Sequence, residues 1–204
     1  MRRTIYTIGH STHSKEYFLE LLALHRITAL CDVRSNPYSR LHPQFNREPL
    51  KAFLLGSGVS YLFLGKELGA RSQDPGCYEG GKLQYDRLAQ TELFRKGLQR
   101  VQDGLDKGFR VALMCAEKEP LECHRTILVA RHLAELDIEV SHIHGDGRLE
   151  SHAAAIGRLR GLVGVPENDL FRSAEQLCAD AYRLQEERIA YAPKAAPALG
   201  TAAG

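Results

Sequence analysis

The stretch MCAEKEPLECHR, Met114 to Arg125, sets two cysteines, several glutamates, a histidine and an arginine directly after the apolar run VAL. A thiol at a strand end, beside a helix N-terminus, a histidine and arginines, has its pKa lowered, and the thiolate is the reactive form. Cys115 and Cys123 are therefore candidate nucleophiles, with His124 or His10 as base and Glu117 as an alternative base or nucleophile. Three other readings compete: Cys115 as a small buried hydrophobe, a Cys115–Cys123 oxidation pair, and zinc held by Cys115, Cys123 and His124. Zinc is disfavoured, and neither metal nor other cofactor is expected. Seven residues between the cysteines are not a C-x₂₋₄-C hook, and adjacent Cys123 and His124 diverge if they stand on a helix.

The other chemistry-bearing residues lie in other segments. In IGHS, Gly9 permits close backbone approach, and Gly9, His10 and Ser11 can cradle a phosphate or carboxylate or simply make a turn. In DVRSNPYSR, Asp32 and Arg34 can hold a substrate oxyanion or form an internal salt bridge, and Arg40 and Arg125 add positive charge. Arg34 to Lys51 is basic and interleaved with Tyr38, His42 and Phe45, as suits contact with phosphates and bases, although a solvated face reads the same. His144 follows the last strand signal as a further proton carrier.

The elements that must gather these groups alternate. TIYTI, ITALCDV, VSYLFL, FRVALMCA and IEVSHIH read as five strands. Between them lie segments with apolar residues at helical spacing, such as Phe18, Leu21 and Leu22. This predicts an α/β fold, Rossmann-like and three-layered, with a mainly parallel five-stranded sheet and flanking helices. The candidate residues would then share the carboxyl edge of the sheet, where open parallel sheets bind ligands. GKELGARSQDPGCYEGGKLQ reads as a long polar functional loop. Pro120 suits the first turn of a helix carrying Cys123, His124 and Arg125.

Residues 1–150 form the α/β domain in this reading, residues 151–192 a C-terminal helical extension, and residues 193–204, rich in Ala, Gly and Pro, a disordered tail. The stripe Leu170, Ala174, Leu177, Ala181 and Leu184 docks on the domain itself or forms a homodimer seam. Hydrophobic content of 44%, charged content of 25% and a net charge of +2 describe a globular chain without a general polyanion-binding surface. Apolar runs too short to span a bilayer argue against a membrane role, and five scattered cysteines without a leader signal read as reduced thiols, so a cytoplasmic location is expected.

YTIGHS, DVRSNPYSR, QFN, LGKELG, YEGGKLQYDRLA, LMCAEKEPLECHR and VSHIH together resemble the widespread bacterial family termed domain of unknown function 488, in consistent order from about Thr4 to His144. The resemblance implies an α/β fold and no settled reaction. LCDVR and LMCAE are more weakly similar to rhodanese-like domains, which implies Cys115 as a sulfur or phosphate carrier, although Arg125 follows that cysteine too late for a rhodanese loop. The leading expectation is an enzyme with an anion-binding cleft for a phosphate-bearing substrate, a nucleotide or nucleic acid. A Cys115 sulfurtransferase and a non-catalytic nucleic-acid or nucleotide binding module are the alternatives.

Overall fold

The structure, a computed structural model, describes residues 3–193. Apart from Pro193, the tail expected to be disordered lies outside the described residues. The five expected strands are present as β1 (Thr4–Gly9), β2 (Ala29–Asp32), β3 (Ser60–Phe63), β6 (Val111–Cys115) and β7 (Glu139–Ile143), all parallel. A sixth, β8 (Leu149–Ser151), pairs antiparallel with β7 at the edge; three residues are too few to show an alternating pattern in sequence. The order across the sheet is β3-β2-β6-β1-β7-β8. It differs from the sequential 3-2-1-4-5-6 winding of the dinucleotide-binding fold, because β6 inserts between β2 and β1.

Successive residues of each strand face opposite sides, so the sheet supports two cores. Tyr6, Ile8, Leu30, Ala112 and Met114 pack against α1 (Lys15–Leu24) and α2 (Arg47–Gly56) through Phe18, Leu22, Leu50 and Leu54. Ile5, Cys31, Leu113 and Cys115 face the other way, toward α4 (Glu92–Asp106) and the helix built from a π segment, Arg125–Ala130, and α5 (Arg131–Ala134). Within the loop expected to be functional, β4 (Tyr78–Glu79) and β5 (Lys82–Leu83) form a hairpin about Gly80-Gly81, followed by α3 (Tyr85–Ala89).

The C-terminal helices α6 (His152–Val163) and α7 (Ala174–Ile189) belong to the second core. Ala155, Ile156, Leu159, Leu177, Ala181 and Tyr182 are all buried in it. Of the stripe considered for a dimer, Leu177, Ala181 and Leu184 pack within the chain, while Leu170, which precedes α7, and Ala174 are exposed. Among the described residues no helix is long and apolar enough to cross a membrane.

A buried polar chain fastens this layer to the sheet. Thr7 Oγ1 meets His142 Nδ1 at 2.8 Å, His142 Nε2 meets His152 Nδ1 at 3.1 Å, and His152 Nε2 meets the Tyr182 hydroxyl at 2.8 Å. A neutral imidazole donates at one nitrogen and accepts at the other, so the His142–His152 contact needs at least one ring neutral, and protonation of both sets two N–H groups against each other. Burial pushes His152 down to about 4; it also pushes His142 well down, with His152, Arg125, His144 and Arg158 adding positive charge around it.

Below pH 6.5 the unfolded chain takes up a proton that folded His152 refuses until about pH 4. Stability is therefore expected to fall as pH drops through this window, by roughly 3 kcal/mol from His152 alone. Urea unfolding at stepped pH measures it. His152→Gln should flatten the slope, and a variant with the same slope as the parent chain would refute the assignment.

Candidate functional site

The site begins with the insertion of β6. Its last residue, Cys115, is registered against Gly9 of β1, while Met114 is registered against Asp32 of β2. The pairing runs past the strand end, since His10 N–H donates to the Cys115 carbonyl and Ser11 N–H to that of Ala116, each at 2.9 Å. These two amides therefore serve the chain rather than a phosphate. A Cβ at position 9 would lie 1.9 Å from the Glu117 carbonyl oxygen, so glycine is required there for the approach of the chain itself. Gly65 has the same role after β3, where a Cβ would lie 2.0 Å from the Arg34 carbonyl oxygen.

After Cys115 the chain does not enter a helix directly. Pro120–Glu122 is a separate 3₁₀ turn, and Cys123 is extended, with φ −138° and ψ 138°, before helical geometry begins at His124. This corrects the expectation that Cys123 and His124 share a helix and diverge. The break turns both side chains back toward Cys115. His124 Nδ1 lies 3.7 Å from Cys115 Sγ and 3.9 Å from Cys123 Sγ, and the three atoms all fall within 4.8 Å of one another. His124 Nε2 lies 3.0 Å from the Val33 carbonyl, which can only accept; Nε2 thus carries the hydrogen, and in the neutral ring Nδ1 presents its lone pair to the sulfurs.

Cys123 Sγ also accepts the Arg125 N–H at 3.4 Å and, in its thiol form, donates to Glu117 Oε2 at 2.9 Å. Burial pushes the Cys115 thiol well up, and its contact with Cys123 adds to this. Cys123 resists the same burial, because Cys115, Arg125 and His124 together hold it well below the ordinary thiol range. Glu117 is raised, first by desolvation and then by the Cys123 sulfur beside it. Of the two cysteines, Cys123 is thus the more acidic, and Cys115, the sulfur carrier of the rhodanese-like alternative, remains protonated.

A cavity of about 280 Å³ opens over this cluster, lined by Cys115, Glu117, Cys123 and His124, with Arg34, Arg71, Tyr85 and Glu122 around them. Arg34 is largely committed to the frame. Its Nε and Nη2 grip Asp32 at 2.9 and 2.6 Å, Nη2 also donates to the Phe45 carbonyl, and Nη1 meets His10 Nε2 at 3.2 Å. Only one of its five N–H groups is left over. Asp32, fully buried, also accepts from the Tyr61 hydroxyl, so Asp32 and Arg34 form the internal salt bridge rather than an open anion clamp. His10 stacks on Phe45 and donates Nδ1–H to the Ser11 carbonyl. Burial and then Arg34 push it down to about 4, and with both nitrogens engaged it is not a free base.

Arg125 is entirely buried. It donates to the carbonyls of Glu117 and Lys118 from beneath the loop and forms no ion pair among the described residues. His144 pairs with Glu150 at 2.9 Å, and exposed Arg40 stands outside this cavity's lining. Phe45, expected to meet bases, is in the core. Of the expected residues, Cys115, Glu117, His124 and Arg34 thus reach one cavity. Gly9, Ser11, Asp32, His10 and Arg125 support it from behind, and Arg40 and His144 lie apart.

Residues without a signal in the sequence complete the wall. Ile189 and Tyr191 arrive because the chain returns after α7, with Leu83 N–H donating to the Tyr191 carbonyl. A second, larger space of about 810 Å³ adjoins the first through Ser35, Asn36, Arg71 and Tyr191, and includes Lys66, Ser72 and Tyr78. The length and polarity of the loop after β3 were the signal for Lys66 and Arg71.

Comparison with known proteins matches residues 14–132 to the family described as Domain of unknown function DUF488. No curated protein and no solved structure matches the chain. Gly9→Ala is expected to lower stability by about 1–3 kcal/mol, because a backbone carbonyl must give way. An unchanged urea midpoint would contradict the close approach of β1 to the Glu117 loop.

Proposed function

We propose, for a chain that belongs to the family described as Domain of unknown function DUF488, that it is an enzyme acting on a phosphate-bearing substrate of nucleotide type, held across the two joined cavities. The observation that carries this reading is the pair Lys66 and Arg71. Both line the larger space, both are exposed, and neither forms an ion pair among the described residues. Cationic side chains left uncommitted along a concave wall are what a phosphate needs for charge-assisted hydrogen bonds.

The surroundings suit the rest of such a ligand. The Arg71 guanidinium lies 4.6 Å from the centre of the Tyr191 ring, a cation–π contact that uses none of its hydrogen-bond donors. Ser35, Asn36 and Ser72 offer short polar contacts, and Tyr78 and Tyr191 offer rings. Arg34, in the wall of the smaller cavity, adds its remaining N–H at the reactive end. In this assignment Lys66 and Arg71 take the anion-binding role that the sequence suggested for Arg40 and Arg125. Glu117 is placed to move a proton at the end wall, beside the Cys115–Cys123–His124 cluster.

Calorimetric titration with AMP, ATP and inorganic pyrophosphate at two salt concentrations tests the reading. Binding should weaken as salt rises. Lys66→Ala and Arg71→Ala should each weaken it roughly tenfold, as expected for a hydrogen bond to a charged group, and Arg40→Ala should leave it unchanged. Binding indifferent to both wall substitutions would refute the site, and binding without turnover of any phosphate ester would favour a non-catalytic module.

A further inference from the structure

We infer that Cys115, Cys123 and His124 form a binding site for a thiophilic divalent cation of zinc type, with a coordination position open to the smaller cavity. The inference rests on the reading of that cavity as the reactive end of the ligand site, and it supplies the reactive end with a Lewis acid.

Geometry carries it. A tetrahedral zinc ion with Zn–S near 2.3 Å and Zn–N near 2.0–2.1 Å holds sulfur and nitrogen about 3.6 Å apart and two sulfurs about 3.8 Å apart. The two S···N separations here are 3.7 and 3.9 Å, and the sulfurs lie within 4.8 Å, so shifts of tenths of an ångström for nitrogen and at most about 1 Å for sulfur close the set. In its neutral form the imidazole has the tautomer a metal requires, since its Nε2–H is engaged by the Val33 carbonyl and Nδ1 faces the sulfurs. Cys123 Sγ receives the Arg125 N–H, a bond that supports a bound thiolate.

The three residues come from two elements held by the sheet and by the extended break at Cys123, so the site is preformed rather than assembled from a loop. All three line the cavity, and three protein ligands with one open position describe a catalytic rather than a closed structural site. Glu117, whose Oε2 lies 2.9 Å from Cys123 Sγ, lines the same cavity. Uptake of the cation forms two metal–sulfur bonds and one metal–nitrogen bond. It also displaces any thiol protons to solvent, which makes affinity rise with pH. The buried Arg125 guanidinium, lacking a carboxylate partner among the described residues, offsets the negative charge of the thiolates.

The test is titration of the reduced, chelator-stripped full chain with Zn²⁺ in competition with a chromophoric chelator, and with Co²⁺ followed by absorption. One equivalent of Zn²⁺ and a thiolate-to-cobalt charge-transfer band with tetrahedral ligand-field bands are expected. Cys115→Ser and His124→Gln should each weaken binding by roughly a hundredfold, the upper end of what even outer-shell partners cost. Cys31→Ser and Cys178→Ser should bind as the parent does. Should the ligand variants fail to fold, the cobalt spectrum of the parent chain decides alone.

No stoichiometric uptake, a spectrum without sulfur-to-metal charge transfer, or binding unchanged in folded ligand variants would overturn the inference. Lys66→Ala and Arg71→Ala should take up zinc normally, so loss of nucleotide binding with zinc uptake intact, or the reverse, identifies which of the two readings has failed.

Discussion

The insertion of β6 between β1 and β2 is the constraint on which the rest of this molecule depends. A central parallel strand is hydrogen bonded on both sides, so its end is held between two neighbours and cannot drift. Because Cys115 is registered opposite Gly9 and Met114 opposite Asp32, the loops after β1, β2 and β6 meet at one point. The close approach at Gly9 and the continued pairing of His10 and Ser11 lock the Glu117 loop in place. A sequential winding would have set these loops apart.

Charge is then used mainly to build the frame. Arg34 and Asp32 satisfy one another, His10 and the Phe45 carbonyl take most of what is left, and Arg125 holds the Glu117 loop from beneath. A buried guanidinium is tolerable only with several acceptors around it, which explains why these arginines are directed at protein oxygens rather than at solvent. Cations free to meet a ligand belong instead to the polar loop after β3, where Lys66 and Arg71 are exposed. The cysteine–histidine cluster thus sits at the carboxyl edge of the sheet, and the exposed cations line a wall formed from connecting chain.

The C-terminal helices are part of the same construction. They complete the second core, bring Ile189 and Tyr191 to the cavity, and are tied to β1 and β7 by the neutral chain from Thr7 through two imidazoles to Tyr182. Residues 151–192, set apart in sequence as an extension, add buried side chains to the second core beside α4 and the π/α5 helix.

The sequence by itself determined the five parallel strands and their flanking helices, because alternation and helical spacing of apolar residues are local properties of the chain. It also singled out Cys115, Glu117, Cys123 and His124 at a strand end and the polar loop after β3 as candidates. It could not tell Arg34 as a frame residue from Arg34 as a clamp, since that depends on Phe45 and His10, both far from it in the chain. Strand order and side-chain convergence were decided only by tertiary structure. The register of β6 between two neighbours and the extended backbone at Cys123 turn two adjacent residues toward a third, and neither leaves a periodic trace in the order of amino acids.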